Sequence, residues 1–236
     1  MKAVENTPCQ FCKSRKESLF NFCTADELEH LTGVKICQTF KKGQIIFLEG
    51  SRPSGLHCIN FGKIKLSRLG PEGKEKIIRL AGSGEWVGYK ALIANLPYSA
   101  TAIALEDVSV CFIPSTDFMY VLQHNQEFQT MFTQLLCRNL SEAENETVDI
   151  AYKSVRERLA EALLLLKRKF YDNELPKHDF VINMTREDLA NLIGTAKETV
   201  IRLLSDFKDE GIVESQGRKI VLKDEEALIR ISELYD

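Results

Sequence analysis

Nine of the chain's thirteen glycines stand between positions 43 and 88, at 43, 50, 55, 62, 70, 73, 82, 84 and 88. Glycine inside a helix costs about 1 kcal/mol relative to alanine. A stretch punctuated this often therefore favours short extended runs joined by turns. The residues between the glycines agree. Ile45, Ile46 and Phe47 follow Lys42-Gly43, and Leu56, Cys58 and Ile59 precede Phe61-Gly62. Ile64 and Leu66 alternate with Lys63, Lys65 and Ser67; Ile77 and Ile78 follow Pro71-Glu72-Gly73; Val108, Val110 and Phe112 alternate again. Many short strands with closely spaced turns predict a sandwich or barrel-like β domain over about 34–114.

Beyond about residue 115 the apolar period becomes helical. Val121, Leu122, Phe128, Phe132, Leu135, Leu136 and Leu140 recur at three and four. After the polar stretch Ser141–Thr147 a second series follows: Val148, Tyr152, Val155, Leu159, Leu163 and Leu166. An amphipathic helix of roughly 30 residues is longer than a small domain's core needs. Its stripe either packs on its own domain or forms a dimer seam, with Val121, Phe128, Phe132 and Leu135 as the seam residues. Asp26–Leu31 reads as a short helix with Leu28 and Leu31 on one face, and the polar Tyr171–Asp179, with Pro176, reads as a loop.

The chain of 236 residues is 44% apolar, enough for one large or two modest domains. Its 31 Lys+Arg against 34 Asp+Glu leave a net charge of −3, which excludes a histone-like cation and a highly charged disordered chain. No run approaches the roughly 18 apolar residues of a membrane span, and MKAVENTPCQ has no apolar signal core. The expected location is cytoplasmic, with no membrane partner. Seven cysteines, an odd number, disfavour a full disulfide framework and leave core thiols or metal ligands.

The most specific pattern lies near the C-terminus. Thr185 caps a helix, with Asp188 placed to answer the cap. Leu189, Leu192 and Ile193 form its buried face, and Gly194 stops it. After Thr195 a second helix buries Ala196, Val200, Leu203, Leu204 and Phe207, and ends at Gly211. Two short helices joined through a glycine-containing turn make a helix-turn-helix. At about 100° per residue, Lys197, Glu198, Ile201 and Arg202 share the opposite face within the first turns, the part that reaches base edges. Arg can donate to guanine O6 and N7, and Glu can accept from cytosine N4. Blander roles exist: Glu198 could be a capping carboxylate answering Thr195, and Arg202 could pair with Asp206. Ile212-Val213-Glu214 and Lys219-Ile220-Val221-Leu222 flank Ser215-Gln216-Gly217-Arg218 as a hairpin wing, with Arg218 and Lys219 at its tip to touch phosphate. Residues 184–223 carry seven Lys/Arg and seven Asp/Glu. A few placed cations, doubled by a two-fold axis, would have to hold the DNA rather than bulk charge.

A β domain, a long helix, a helix-turn-helix and a wing resemble the cyclic-AMP receptor/fumarate-nitrate regulator (CRP/FNR) superfamily of bacterial transcription factors, over about residues 25–222. The resemblance is carried by Thr185-Arg186, Ile193-Gly194, Lys197-Glu198-Thr199-Val200-Ile201-Arg202 and Gly217-Arg218-Lys219-Ile220. It implies an α+β chain. A cysteine-bearing segment (1–24) precedes a jelly-roll sensor domain of the cyclic-nucleotide-binding type (25–116). A dimerisation helix (117–147) and a winged helix-turn-helix domain (148–236) follow. It implies base reading by Lys197, Glu198, Ile201 and Arg202, and phosphate contacts by Arg186, Thr199, Arg218 and Lys219. Ile201 replaces the family's usual Gly or Ser. The implied partners are a second copy, a pseudo-palindromic double-stranded DNA operator, and RNA polymerase. Gly43, Gly50, Gly62 and Gly88 match the jelly-roll turns.

Cyclic-nucleotide binders of this family carry Gly-Glu followed by Arg and a small residue, Arg for the cyclic phosphate and Glu for the ribose hydroxyl. Here Tyr89 and Tyr98 hold the Glu and Arg positions, so cyclic AMP is not the expected effector. Gly88, Tyr89, Lys90, Tyr98 and Ser99 are the effector-pocket candidates. Cys9-x2-Cys12 with Cys111 resembles the oxygen-sensing branch, which implies a [4Fe–4S] cluster on Cys9, Cys12, Cys111 and one more thiol. The third N-terminal ligand position falls on Ser18, with Cys23 or Cys37 as replacements. Buried small hydrophobes and thiol redox sensing remain alternatives for these cysteines. His30, His57, His124 and His178 show no metal-ligand spacing, and no P-loop or Gly-x-Ser-x-Gly elbow is present. No catalytic residues are therefore assigned. The rival to a DNA-binding regulator is a sensor or scaffold protein that has lost DNA binding.

Overall fold

The computed structural model describes residues 7–171 and 180–232, so the expected loop lies, apart from Tyr171, outside the described residues. The chain forms two compact units, Met1–Asn139 and Leu140–Asp236.

In the first unit, short 3-10 turns lead to α1 (Ala25–Val34), started by a reciprocal capping box between Thr24 and Glu27. Eight strands follow: β1 (Ile36–Phe40), β2 (Ile45–Phe47), β3 (Gly55–Phe61), β4 (Ile64–Leu69), β5 (Glu75–Ala81), β6 (Trp86–Val87), β7 (Thr101–Ala104) and β8 (Val108–Pro114). They pair in two four-stranded sheets, β1-β8-β3-β6 and β2-β7-β4-β5, the two-layer arrangement expected of a jelly roll. Their interior is Phe47, Ile59, Ile64, Ala81, Val87, Ala102, Val108 and Val110. Gly62 fits its turn for two reasons. Its φ is +91°, and an added Cβ would lie 2.7 Å from the Asp107 carbonyl oxygen.

The other face of β1-β8-β3-β6 is covered as well. Leu56, Cys58, Trp86 and Ile113 on the strands pack with Phe20, Leu28 and Leu31, and with Phe118, Val121, Phe128 and Phe132 from two helices that follow β8. These are α3 (Ser115–His124) and α4 (Gln126–Tyr152). The helix expected over 117–147 is thus two helices, and Asn125 holds the break. Its side chain accepts from the Phe128 amide at 2.8 Å and donates to the Phe22 carbonyl and Glu27 carboxylate. A second short helix, α2 (Tyr89–Ala94), follows β6.

This packing corrects the seam assignment. Val121 and Phe128 are 0% exposed and Phe132 is 3% exposed, all three inside the first unit's own core, with Leu135 packed against it. Val121 sits on α3, not on the long helix. The apolar stripe of 121–135 is covered by its own sheet. The open part of α4 lies later: every residue from 140 to 148 is exposed, including Leu140 and Val148, and Cys137 precedes them on the surface.

The second unit begins its core with α5 (Val155–Phe170), capped reciprocally by Ser154 and Glu157. Then come β9 (Ile182–Asn183), α6 (Arg186–Ile193), α7 (Lys197–Asp209), β10 (Val213–Gln216), β11 (Lys219–Leu222) and α8 (Glu225–Ser232). The hairpin register Gln216↔Lys219 leaves Gly217-Arg218 as a two-residue turn, and β9 joins as a third strand in the order β10-β11-β9.

One buried group makes stability in this fold depend on pH. His57 lies on β3 between the rings of Phe47 and Phe112, at 5.3 and 5.2 Å. Its Nδ1 is buried with no hydrogen-bond partner among the described residues. Burial pushes the imidazole down to about 4 from its ordinary 6.5. The unfolded chain therefore binds the proton more readily, so His57 contributes nothing pH-dependent above pH 6.5 and favours unfolding as pH falls from 6.5 towards 4. We expect up to about 3 kcal/mol of stability to be lost across that window. Urea melts at pH 7 and pH 4.5 should show a loss that His57→Phe diminishes; equal pH slopes in the two proteins would exclude His57 as the cause.

Candidate functional site

Helix α6 begins where Thr185 Oγ1 accepts from the Asp188 amide at 2.9 Å and donates to its carboxylate at 2.6 Å. Leu189, Ala190 and Ile193 are buried while Leu192 is only half-buried, and Gly194 ends the helix at φ +70°. The following turn sends the chain into α7, whose Val200, Leu203, Leu204 and Phe207 are buried. Ala196 is the N-cap residue and is exposed, not part of the buried set; its side chain makes no cap hydrogen bond. Behind α7, Arg156 on α5 grips Glu210 through two bonds of 2.6 and 2.8 Å and lies 4.7 Å from the Phe207 ring centre. Arg156 and Glu210 were not singled out in the sequence, because their pairing spans 54 residues.

With one face of α7 fixed, the other carries Lys197, Glu198, Ile201 and Arg202 into solvent. Ile201 is 49% exposed, although it is a large aliphatic side chain. Glu198 is not a capping carboxylate, since the cap position is Ala196. Arg202 lies 3.5 Å from Asp206, and Lys197 lies 3.6 Å from Glu187. Such exposed pairs are worth at most about 1 kcal/mol and yield readily to a better partner. Thr199 is half-buried, and Arg218 and Lys219 are exposed at the wing. Arg186, at the first turn of α6, is half-buried with its Nη1 buried and without a partner among the described residues; burial lowers its pKa. A buried, unanswered guanidinium nitrogen is unfavourable in the chain alone.

In the first unit the effector-pocket candidates divide. Tyr89 and Tyr98 are 1% and 6% exposed, whereas Lys90 and Ser99 are on the surface. Tyr98 stacks on Phe47 at 3.9 Å between ring centres and crowds Gly88, where a Cβ would lie 2.9 Å from its ring. Burial also raises the Tyr98 pKa, keeping its phenol neutral. The Tyr89 hydroxyl accepts from Arg79 Nη1 at 3.1 Å and from Asn139 Nδ2 of α4 at 2.8 Å. Arg79 also pairs with Glu85 at 3.2 Å, and Glu85 accepts from the Gly82 amide. The five residues therefore do not line one pocket. Two aromatic rings occupy the interior, and the nearest cation and carboxylate are engaged with each other.

The cysteine trio is engaged in separate bonds. Cys111 forms a disulfide with Cys37 on the adjacent strand. The Cys9 amide donates to Thr32 Oγ1, and the Cys12 thiol to Asn60 Oδ1 at 3.2 Å. Ser18 accepts from the Trp86 indole at 2.9 Å and the Phe20 amide at 3.3 Å, a structural role that leaves it no part in ligation. No group of three His, Cys, Asp or Glu side chains among the described residues converges as metal ligands. The implied [4Fe–4S] cluster on Cys9, Cys12 and Cys111 does not fit this arrangement. Of the histidines, His30 pairs with Asp117, His124 bonds the Tyr120 carbonyl, and His178 lies outside the described residues.

Comparison with known proteins gives the same picture. Residues 37–125 match the cyclic nucleotide-binding domain family and residues 157–231 the Crp-like helix-turn-helix domain family. The fumarate and nitrate reduction regulatory protein of Yersinia pestis is 28% identical over 225 residues, covering 95% of this chain and 90% of that protein. The CRP-like cAMP-activated global transcriptional regulator of Mycobacterium tuberculosis is 26% identical over 191 residues, covering 81% and 85%. A crystal structure of a CRP/FNR-family transcriptional regulator from Thermus thermophilus superposes with a TM-score of 0.71 at 25% identity, covering 84% of this chain and 98% of that one. FixK2 from Bradyrhizobium japonicum shares the fold, with a TM-score of 0.74 at 22% identity and coverage of 84% and 97%. With both domain types in this order, and regulators of one kind matching over most of its length, the chain belongs to the CRP/FNR superfamily of DNA-binding transcription regulators.

Proposed function

We propose that this regulator is a homodimer that reads a pseudo-palindromic operator through α7, and that its sensor domain does not take cyclic AMP. The observation that carries the reading is the division of α7 into a fully buried face and a face of Lys197, Glu198, Ile201 and Arg202 open to solvent. Arg202 donates to a guanine, and Glu198 accepts from a cytosine one turn away. Ile201 offers only apolar contact, which suits the thymine methyl. Arg186, Thr199, Arg218 and Lys219 take phosphates, Arg218 and Lys219 from the exposed wing. A two-fold dimer sets two such helices about 34 Å apart, one turn of the duplex. RNA polymerase is the partner through which such a regulator would act.

The dimer reading moves from the buried residues 121–132 to the exposed part of α4. Cys137, Leu140 and Val148 stand exposed at helical spacing on this part of α4. Light scattering at micromolar concentration should give a dimer. Leu140→Glu should raise its dissociation constant at least about tenfold, or 1.4 kcal/mol, without loss of helical circular dichroism. A monomeric wild type would refute the homodimer.

On the effector, Tyr98 and Phe47 fill the interior and Arg79 is paired with Glu85. Calorimetry with millimolar cyclic AMP should show no saturable heat; a micromolar dissociation constant would overturn this part of the reading.

The DNA test contrasts two arginines. Arg202→Ala should cost roughly 1–3 kcal/mol per half-site and relax selectivity at one G·C pair. Arg218→Ala should weaken binding to all sequences and lower the salt slope by about one. If Arg202→Ala weakens specific and random DNA equally, Arg202 does not read bases. The neutral charge of 184–223 favours one rival, a protein that has lost DNA binding. Failure of the wild type to shift any promoter fragment at low salt would select it.

A further inference from the structure

Three cysteines and the chain's single tryptophan form one row across the sheet β1-β8-β3-β6. The registers are Cys37↔Cys111, Cys58↔Cys111 and Cys58↔Trp86. Register partners point to the same face of a sheet. The row therefore faces the helix-covered core that contains Cys58, Trp86 and Ile113. Cys37 and Cys111 have Cα atoms 4.1 Å apart and are joined as a disulfide closing 74 residues of sequence.

We propose that Cys37 and Cys111 are a reversible redox site, opened by a dithiol reductant and reclosed by a disulfide oxidant of low molecular weight. The surroundings decide how each sulfur takes part. β1 is an edge strand, and Cys37 on it is half-buried, whereas Cys111 lies on an interior strand at 8% exposure. The reagent therefore enters at Cys37. A thiolate of the dithiol attacks the Cys37 sulfur. The S–S bond breaks with its electron pair passing to Cys111, which takes up a proton. The reagent's second thiol then attacks the mixed disulfide and expels Cys37, which is protonated in turn. The protein disulfide is reduced to two thiols, the dithiol is oxidised to its disulfide, and its two protons end on Cys37 and Cys111. Oxidised glutathione runs the chemistry backwards and leaves as two molecules of the thiol.

Cys58 is the obvious competitor, since it also faces Cys111. Exchange needs a thiolate. Burial, with the charges of Cys12 and Cys9 adding to it, pushes the Cys58 thiol up to about 12. At neutral pH it is almost wholly protonated, so the bond stays between Cys37 and Cys111. While that bond exists the Cys111 sulfur is also withheld from any metal. Opening it removes the covalent tie of β1 to β8 and leaves the edge strand on its hydrogen bonds and the packing of Phe40.

The test uses the full chain. After equilibration with oxidised glutathione, the protein is unfolded in N-ethylmaleimide without reductant and weighed by mass spectrometry. Five of the seven cysteines should be labelled, the free set of Cys9, Cys12, Cys23, Cys58 and Cys137. A proteolytic fragment should join Cys37 to Cys111. Dithiothreitol should raise the label to seven and speed amide exchange in residues 36–40, and a second round of oxidised glutathione should restore both. Cys58→Ser should keep the two-label difference between the states. Seven labels after oxidation, a Cys58–Cys111 link, or glutathione left on Cys37 would each overturn the proposal.

Discussion

The first unit is organised around one indole. Trp86 sits on a strand of two residues, yet Phe20 approaches it to 4.5 Å, Phe128 to 5.6 Å, Phe118 to 5.7 Å and Phe132 to 6.3 Å between ring centres. Its N–H is answered by Ser18. These partners come from the N-terminal turns, α3 and the start of α4, so three segments distant in sequence are fixed by burial against one side chain. Aromatic groups bury large areas, and tilted or edge-on pairs add about 0.5–1.5 kcal/mol each. The consequence is positional: Phe128 and Phe132 hold the start of α4 on the first unit's sheet.

How much of this was legible follows from which signals are local. The runs read from glycine punctuation and period-two alternation fall on β2, β3, β4, β5 and β8. The helix-turn-helix was legible almost to the residue because Thr185, Gly194 and Gly211 act within one turn of chain. The short strands β6 and β9 gave no period to read, being two residues each. The stripe of 121–135 was correctly apolar and wrongly assigned. Periodicity says which face of a helix avoids water, but not which surface covers it. The cysteines failed for a related reason: CxxC is a spacing along the chain, whereas Cys37, Cys111 and Cys58 are neighbours only through strand register.

The two tyrosines show what a phenol can do inside the roll that a charged group could not. A carboxylate or guanidinium at position 89 or 98 would need a charged partner when buried. A phenol at the same place needs one hydrogen bond or none and otherwise packs as a hydrocarbon. Tyr98 does the second against Phe47 and Gly88; Tyr89 does the first, meeting Arg79 and Asn139. Through Asn139, Tyr89 is tied directly to α4.

The carboxylates beside Lys197 and Arg202 bear on a different problem, the search of a genome. Glu187 and Asp206 half-neutralise the two cations and repel the phosphates of any duplex that gives those cations nothing better. If α7 reads DNA as proposed, a regulator so equipped would slide little along unrelated sequence, because sliding needs a net attraction to the backbone. It would return to free solution between encounters instead of being stored on bulk chromosome. Occupancy of its operators would then follow the number of molecules in the cell closely, with little buffering by the excess of other DNA.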